Sequence, residues 1–272
     1  MQTYGGVWTT QKLDVVEKYL DFYTTALRNQ YFKLAYIDAF SGSGNVELNN
    51  GQVIDGSALR ALKYPFDRYY FFDKEKQHCD ALDEKVKGSF PDKNVMIANT
   101  DCNELLTTID KFEWINERWR GVIFLDPYAM NLSWQSLEKI RNTQAFDVWY
   151  LFPFYAVNRN LFKNQQIPDA NKETISRILG TTDWESHLYQ ESPQITLSGE
   201  TNYKKVDTDG LRDYIISRLK DTFPTVSPKA ALLKNDKNAP LFLLCFAGSN
   251  PNPRAGGLSL RAADHLLSHI GG

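Results

Sequence analysis

The stretch LAYIDAFSGSGN, Leu34 to Asn45, sets an apolar run, an acid and two glycines one residue apart in immediate succession. A short apolar run bounded by turn formers is what a strand covered on both faces requires. Gly42 and Gly44 then provide backbone that tolerates positive φ and lets a ligand approach closely. A strand, an acid at its carboxyl end and a bare loop together describe the ligand-binding edge of an open α/β sheet, since ligands there sit beyond the carboxyl ends of the strands.

The same grammar recurs downstream. RYYFFD, NVMIAN, GVIFLDPY and FDVWYLFPF read as four more strands, ending at or near Asp73, Asp101, Asp126 and Phe154. Helical segments fall between them: EKQHCDALDEKVKG closed by Gly88, a mostly helical Asn103–Arg120, and SWQSLEKIRN capped by Ser133. Upstream, Leu13, Val16, Leu20, Tyr23 and Leu27 recur at helical period behind a Thr9 or Thr10 cap. NVELNNGQVID reads as a loop leading to a helix at GSALRALKY. Strands apolar nearly throughout, alternating with helices, predict a mainly parallel sheet covered on both faces.

After Phe154 the rhythm loosens. NKETISRILG and DGLRDYIISRLKDTF read as helices, and LSLRAADHLLSHI as a closing helix. PKAALLKNDKNAPLFLLCFAG offers two apolar runs around a turn rich in Asn, Asp and Lys, an antiparallel edge hairpin. The expected fold class is therefore α/β: a Rossmann-like, doubly wound, mostly parallel sheet of about seven strands, a size such sheets reach without strain. We expect residues 1–272 to form a single domain, with an N-terminal helical segment 8–30 and a helical insertion at about 155–224 carrying specificity elements.

Composition narrows the function classes. The formal charge of −2 over 272 residues gives no whole-molecule positive field for nucleic acid, which leaves a local basic patch as the alternative. Cys79, Cys102 and Cys245 are odd in number and widely spaced, against a disulfide framework or a Cys-based zinc site and in keeping with a reducing cytoplasm. No signal peptide is visible at the start, and no apolar run approaches the ~20 residues that span a bilayer, so no membrane association is expected. His265 and His269 stand four apart on the last helix, but zinc sites need three or four protein ligands, and no metal is expected.

The strand-end acids select the cofactor. Asp is a poor strand residue, yet Asp38, Asp73, Asp101 and Asp126 stand at four strand ends. A dinucleotide loop has a third glycine where this chain has Glu47, opens directly into a helix, and sets its pyrophosphate on a helix start away from acids. S-adenosylmethionine carries no phosphate but a sulfonium, an ammonium, a ribose diol and an adenine amine, all served by acids. On this reading Asp38 and the loop of Gly42 and Gly44 lie near the methionine part, Asp73 accepts both ribose hydroxyls and Asp101 accepts from the adenine amine, with Ala39, Lys74, Cys102 and Asp126 as further cofactor-binding candidates. Each acid taken singly also reads as a helix cap or a turn former. Gly56 and Ser57 open a helix and either face the cofactor or mark a plain cap at Asp55 or Ser57. Trp8, Thr9 and Lys12 belong to a helix covering one sheet face, or to a lid over the site.

The segments YIDAFSGSG, RYYFFDKE, NTDCNELL, FLDPYAMNLSW and LFPFYAVNRN occur in an order that resembles the three-Cys-motif partner proteins, a bacterial and phage-associated family grouped with Rossmann-like S-adenosylmethionine-dependent methyltransferases. The likeness takes in the leading WTTQKLDVVEKYL and the closing LFLLCFAG, and so spans nearly the whole chain. It implies a methyltransferase fold, S-adenosylmethionine as cofactor, and a companion protein bearing the three cysteines for which the family is named.

Asp126-Pro127-Tyr128 also resembles the Asp/Asn-Pro-Pro-Tyr motif of enzymes that methylate exocyclic amines of adenine or cytosine. A carboxylate and a backbone carbonyl accepting from such an amine direct its lone pair toward the methyl group, proline fixes the carbonyl, and the aromatic ring stacks on the base; positioning itself supplies much of the rate. The chain has one proline where the motif has two, so a sharp turn with a buried Tyr128 is the competing reading. The expected function is thus methyl transfer to an amino nitrogen of a nucleic-acid base, with Asp126, Pro127 and Tyr128 catalytic. The alternatives are a methyltransferase-shaped adaptor without turnover and a nicotinamide-dependent oxidoreductase. Basic and aromatic residues interleave at Asn158–Asn164 and Tyr203–Arg212, as in single-strand binding surfaces or plain solvated faces. Phe152, Phe154 and Tyr155 line either a substrate pocket or the core.

Overall fold

The computed structural model describes residues 6–162, 167–192 and 202–270. In chain order the elements are α1 (Val7–Leu27), β1 (Lys33–Asp38), β2 (Asn45–Glu47), β3 (Val53–Asp55), α2 (Ser57–Ala61), β4 (Arg68–Asp73), α3 (Lys76–Ser89), β5 (Val95–Asn99) and α4 (Cys102–Leu106). They continue with β6 (Trp119–Leu125), α5 (Trp134–Thr143), β7 (Phe146–Phe152), α6 (Phe154–Asn160), α7 (Asp169–Leu179), α8 (Trp184–Leu188), β8 (Tyr189–Ser192), β9 (Asn202–Lys205), α9 (Thr208–Thr222), β10 (Thr225–Val226), β11 (Ala231–Lys234), β12 (Pro240–Gly248) and α10 (Pro253–Leu267).

The main sheet runs β10-β12-β7-β6-β1-β4-β5, with β11 also on β12. Strands β5, β4, β1, β6 and β7 are mutually parallel, and β12 is antiparallel to β7. Both β10 and β11 pair with β12, at its carboxyl and amino halves respectively, so they act as one edge strand interrupted around Pro228. This is a mostly parallel, Rossmann-like, doubly wound arrangement, with the C-terminal hairpin at the predicted edge. The strand order reverses between β1 and β6. Asp38 pairs in register with Phe124 of β6 and Phe71 of β4, which brings those strand ends level and sets Asp73 and Asp126 just beyond them.

Alternate strand residues serve opposite faces. Tyr36, Val122, Phe124 and Trp149 pack with residues of α1, α2, α3 and α10. Ile37, Ile123, Leu125 and Tyr150 pack with residues of α4, α5, α7 and α9. Trp134, Trp149 and Trp184 are fully buried, and burying an aromatic side chain of this kind stabilises by about 2–3 kcal/mol. One polar tie crosses the α1 face: the buried Asp147 of β7 accepts from Tyr19 Oη at 2.7 Å and Ser259 Oγ at 2.8 Å, joining α1 and α10 to the sheet. Burial pushes the Asp147 carboxyl up to about 6, against the lowering effect of those two hydroxyls.

Several local expectations are corrected. Helix α1 begins at Val7 behind Gly6, with no Thr9 or Thr10 cap. The NVELNNGQVID segment is a β2–β3 hairpin rather than a loop, turned at Asn50-Gly51, a dipeptide that favours tight turns. Gly88 lies inside α3, which ends at Ser89 with Phe90 in the cap position. Ser133 stands at the start of α5 but its hydroxyl meets Ser136 Oγ at 3.1 Å rather than the helix backbone. Between Asn103 and Arg120 the helix stops at Leu106, and a 3-10 turn Ile109–Lys111 follows. There Trp114 is buried and donates from Nε1 to Ile109 O at 2.7 Å, so ring packing overrides helical propensity. Among the described residues, no helix is long and apolar enough to cross a membrane.

Candidate cofactor and acceptor site

A cavity of about 740 Å³ opens at the carboxyl ends of β1, β4, β5 and β6, within the range that small-molecule and cofactor sites occupy. Ala39, Gly42, Gly44, Asp73, Lys74, Asp101, Cys102, Asp126, Pro127 and Tyr128 all line it. Asp38 does not: it is fully buried beneath Ala39 and Phe40.

The glycine loop is shaped by contacts a larger residue would break. Gly42 and Gly44 have φ of +58° and +85°. A Cβ on Gly44 would come within 2.9 Å of Leu82 Cδ1, while the Gly44 carbonyl accepts from Gly56 N at 2.7 Å. After Gly44 the chain enters β2, so the loop does not run directly into a helix as a dinucleotide fingerprint does. Lys85 Nζ donates to Ser43 O at 2.6 Å, and burial lowers the Lys85 pKa. Gly56 and Ser57 open α2 into the cavity; Gly56 occupies the cap position without a side-chain bond, and Asp55 pairs with Lys63 instead.

The acids differ in what they hold. Asp38 Oδ1 accepts from Phe40 N at 3.2 Å, and its buried Oδ2 has no hydrogen-bond partner. Burial raises the Asp38 carboxyl to about 7, with the Ser57 hydroxyl, the Phe40 amide and Lys12 opposing the rise and Asp126 adding to it. The neighbouring buried Tyr36 hydroxyl is also unpartnered. Asp73 is occupied by structure: Oδ2 accepts from Gly42 N at 3.0 Å, Oδ1 from Glu75 N at 2.8 Å, and His78 Nδ1 lies 3.2 Å from Oδ1. Asp73 thus ties the glycine loop to the start of α3, while Glu75, exposed and lining the same cavity, went unnoticed in the sequence. Its signal was the acid at the first helical boundary after the strand.

Asp101 caps α4 by accepting from Asn103 N at 2.8 Å. Burial and the Asp101 charge push the Cys102 thiol up to about 12; the thiol is buried, and the Cys102 amide belongs to the first helical turn, whose donors lack intrahelical partners. Asn103 joins two loops: its Nδ2 donates to Asn131 O at 2.9 Å, and its Oδ1 accepts from Ser133 N and Ser136 Oγ. Arg177 holds the same corner, donating to Met130 O at 2.5 Å and Asn131 O at 3.1 Å.

At the Asp-Pro-Tyr corner, Tyr128 is 44% exposed, not buried, and Ala129 takes a positive φ of 47° that turns the chain sharply after it. Asp126 forms an ion pair with Lys12 of α1. The Lys12 side chain is nearly buried and lies over the Trp8 ring at 4.9 Å, while Trp8 packs on Phe242 at 4.8 Å between centroids. Trp8, Thr9 and Lys12 therefore wall the cavity, and α1 both covers a sheet face and supplies the site.

The other sequence signals lie elsewhere. Phe152 and Phe154 are core, and Tyr155 is exposed. Lys163 and Asn164 fall outside the described residues. Lys205 donates to Asn158 O and Oδ1, and Arg212 pairs with Asp209 and Asp213, so these cations are engaged within the fold. His269 Nδ1 lies 2.6 Å from His265 O. Among the described residues no group of three or more His, Cys, Asp or Glu is placed to hold a metal.

No protein-family model matches the chain, and no curated protein matches it. Solved structures resemble it in fold. A Legionella pneumophila protein assigned to a family of unknown function is 14% identical over 97% of this chain and 93% of its own, with a TM-score of 0.47. Trm1 from Pyrococcus horikoshii, solved with S-adenosyl-L-methionine, is 12% identical over 98% of this chain and 77% of its own, at 0.40. An S-adenosylmethionine-dependent methyltransferase from Clostridium acetobutylicum is 12% identical over 85% and 91%, at 0.35.

Proposed function

We propose that this protein is an S-adenosylmethionine-dependent methyltransferase acting on an amino nitrogen of a nucleic-acid base. One observation carries the reading: a single cavity gathers the glycine loop, the strand-end acids Asp73, Asp101 and Asp126, and the Asp-Pro-Tyr corner. The lining suits this cofactor. The buried Asp38, next to the cavity-lining Ala39 and Phe40, would offer countercharge to a bound cation when ionised. A phosphate group would meet the acids of this rim, Asp73, Glu75, Asp101 and Asp126.

When bound, the cofactor supplies an electrophilic methyl group on a sulfonium whose sulfur keeps the C–S electron pair as the new N–C bond forms. The Gly42–Gly44 backbone faces the amino-acid end, with the buried Asp38 behind the cavity lining. Glu75 takes the ribose diol, because both Asp73 oxygens already serve the loop and α3. Asp101 and the Cys102 amide take the adenine edge, while Lys74 closes the rim. Asp126 accepts from the acceptor amine and Tyr128 stacks on its ring. Glu75→Ala is expected to weaken S-adenosylmethionine binding about tenfold, in the range of lost charge-assisted hydrogen bonds; calorimetry showing unchanged affinity would return the ribose to Asp73.

The reading is tested by calorimetry with S-adenosylmethionine and by tritiated-methyl incorporation into DNA, RNA and protein. Micromolar binding with label in a nucleic acid is expected. A cofactor-binding adaptor without turnover is favoured by one feature, the Lys12 ammonium already seated on Asp126; tight binding with no incorporation in any polymer decides for it. A companion protein of the three-Cys type enters as a partner supplied in the same assay.

A further inference from the structure

We infer that Lys12 and Asp126 together read the acceptor, and that the acceptor is the edge of an aminated ring in which the exocyclic amine adjoins a ring nitrogen with a lone pair. The inference rests on the proposed base methylation and adds a substrate edge and a residue to it. The ion pair sets an N–H donor and a carboxylate acceptor side by side on the cavity wall. A single Asn or Gln side chain offers the same donor and acceptor pair when it binds adenine through adjacent edge atoms. Here the two halves come from elements 114 residues apart, α1 and the loop after β6.

The Lys12 ammonium is not a loose surface charge. Its side chain is 8% exposed, its ammonium lies over the Trp8 ring, and its helix is pinned to the sheet by the Tyr19–Asp147 bond. Its place is thus as well defined as that of Asp126, whose loop is held by Asn103 and Arg177 through Met130 and Asn131. Adenine, cytosine and guanine each carry an amine beside an unprotonated ring nitrogen; uracil and thymine carry no amine, and a lysine side chain has no adjoining acceptor. Asp126 accepts from the amine while Lys12 donates to the ring nitrogen, fixing the ring in its plane. As the amine nitrogen takes the methyl group it sheds one proton, which Asp126 accepts; Lys12 keeps its protons throughout.

The test uses the full chain with single-stranded DNA and RNA oligonucleotides of mixed sequence. The methylated base is identified by mass spectrometry and then replaced by its deaza analogue lacking the adjoining ring nitrogen (1-deazaadenine, 3-deazacytosine or 3-deazaguanine). For the wild-type protein kcat/KM falls roughly tenfold or more with the analogue, the scale of a lost base contact. Lys12→Met shows the same loss with the natural base and little further loss with the analogue, while Lys12→Arg recovers discrimination. S-adenosylmethionine binding by Lys12→Met stays within about twofold of wild type, as expected if Lys12 serves the acceptor and not the cofactor. An equal analogue penalty in wild type and Lys12→Met overturns the inference and leaves base methylation standing. Loss of cofactor binding in both Lys12→Met and Lys12→Gln assigns Lys12 to cavity architecture and overturns it too. Absence of label in every oligonucleotide overturns the proposed function and the inference together.

Discussion

Asp126→Ala lowers methyl transfer at least a hundredfold while S-adenosylmethionine affinity stays within about twofold of wild type. The magnitude follows from what the carboxylate does for a conjugated amine. Its lone pair is delocalised into the ring, so the reaction depends on hydrogen-bond acceptors that localise it and on holding nitrogen in line with the methyl group; removal of one preorganised group of this kind costs roughly 10²–10³ in rate. Cofactor binding is spared because the glycine loop is held by Asp73 and Lys85, and the adenine side by Asp101 and Asn103, none of which leans on Asp126. Asp126→Asn keeps an acceptor oxygen but loses charge against Lys12, so its loss falls between wild type and alanine. Single-turnover kinetics with tritiated cofactor separate these cases. An alanine variant turning over at the wild-type rate would remove Asp126 from the chemistry and reduce the Asp-Pro-Tyr corner to a turn.

The fold was legible because buried parallel strands leave an unambiguous trace. YIDAF, YYFFD, VIFLD and VWYLF are largely apolar on both faces, and each ends at or is followed by a polar or breaking residue, so the sheet followed from the pattern of apolar runs. The Asn103–Arg120 stretch misled because Trp114 packs against Trp119, which already opens β6, and Phe146 of β7 rather than along a helical face, and tertiary burial outweighs local propensity there. The β2–β3 hairpin had its Asn-Gly signal, masked by polar strands too short for alternation to register.

The site was half legible for a related reason. Local pattern placed acids at strand ends but not their partners. Nothing in FFDKE says that Asp73 turns back to the Gly42 amide, leaving Glu75 at the open rim. Likewise Lys12 sits on an amphipathic helix whose period declares a packing face, and its pairing with Asp126 is a relation over 114 residues absent from either segment. Asp38 is the instructive case. Its strand-end position suggested a rim residue, yet the pleat sends it toward α1 with Tyr36, so its side chain lies under the floor, where burial rather than exposure sets its chemistry.

That burial gives a second large effect, a pH dependence of cofactor affinity that disappears in Asp38→Asn. Burial pushes the Asp38 carboxyl up to about 7 in the folded protein, against about 3.9 in an unfolded chain. A raised folded-state value means that its contribution to stability is fully present below the unfolded value and is lost as pH rises through 7; the buried Asp147, at about 6, adds to the same trend. A bound cation above the floor reverses the preference by favouring the carboxylate, so binding below pH 7 must expel a proton. Affinity for S-adenosylmethionine therefore climbs between pH 5.5 and 7.5, by roughly twentyfold if the bound form stays ionised throughout. Asp38→Asn mimics the protonated form at every pH. It binds the cofactor at least about tenfold more weakly at pH 7.5 and shows little of the climb. In the absence of cofactor it is more stable than wild type at that pH, by on the order of 2–4 kcal/mol. Opposite signs for stability and affinity set this apart from a merely structural carboxyl, whose replacement would lower both. Calorimetry and urea unfolding across the same pH range measure the two quantities, and a flat affinity profile in the wild-type protein would show that no cation is bound over Asp38.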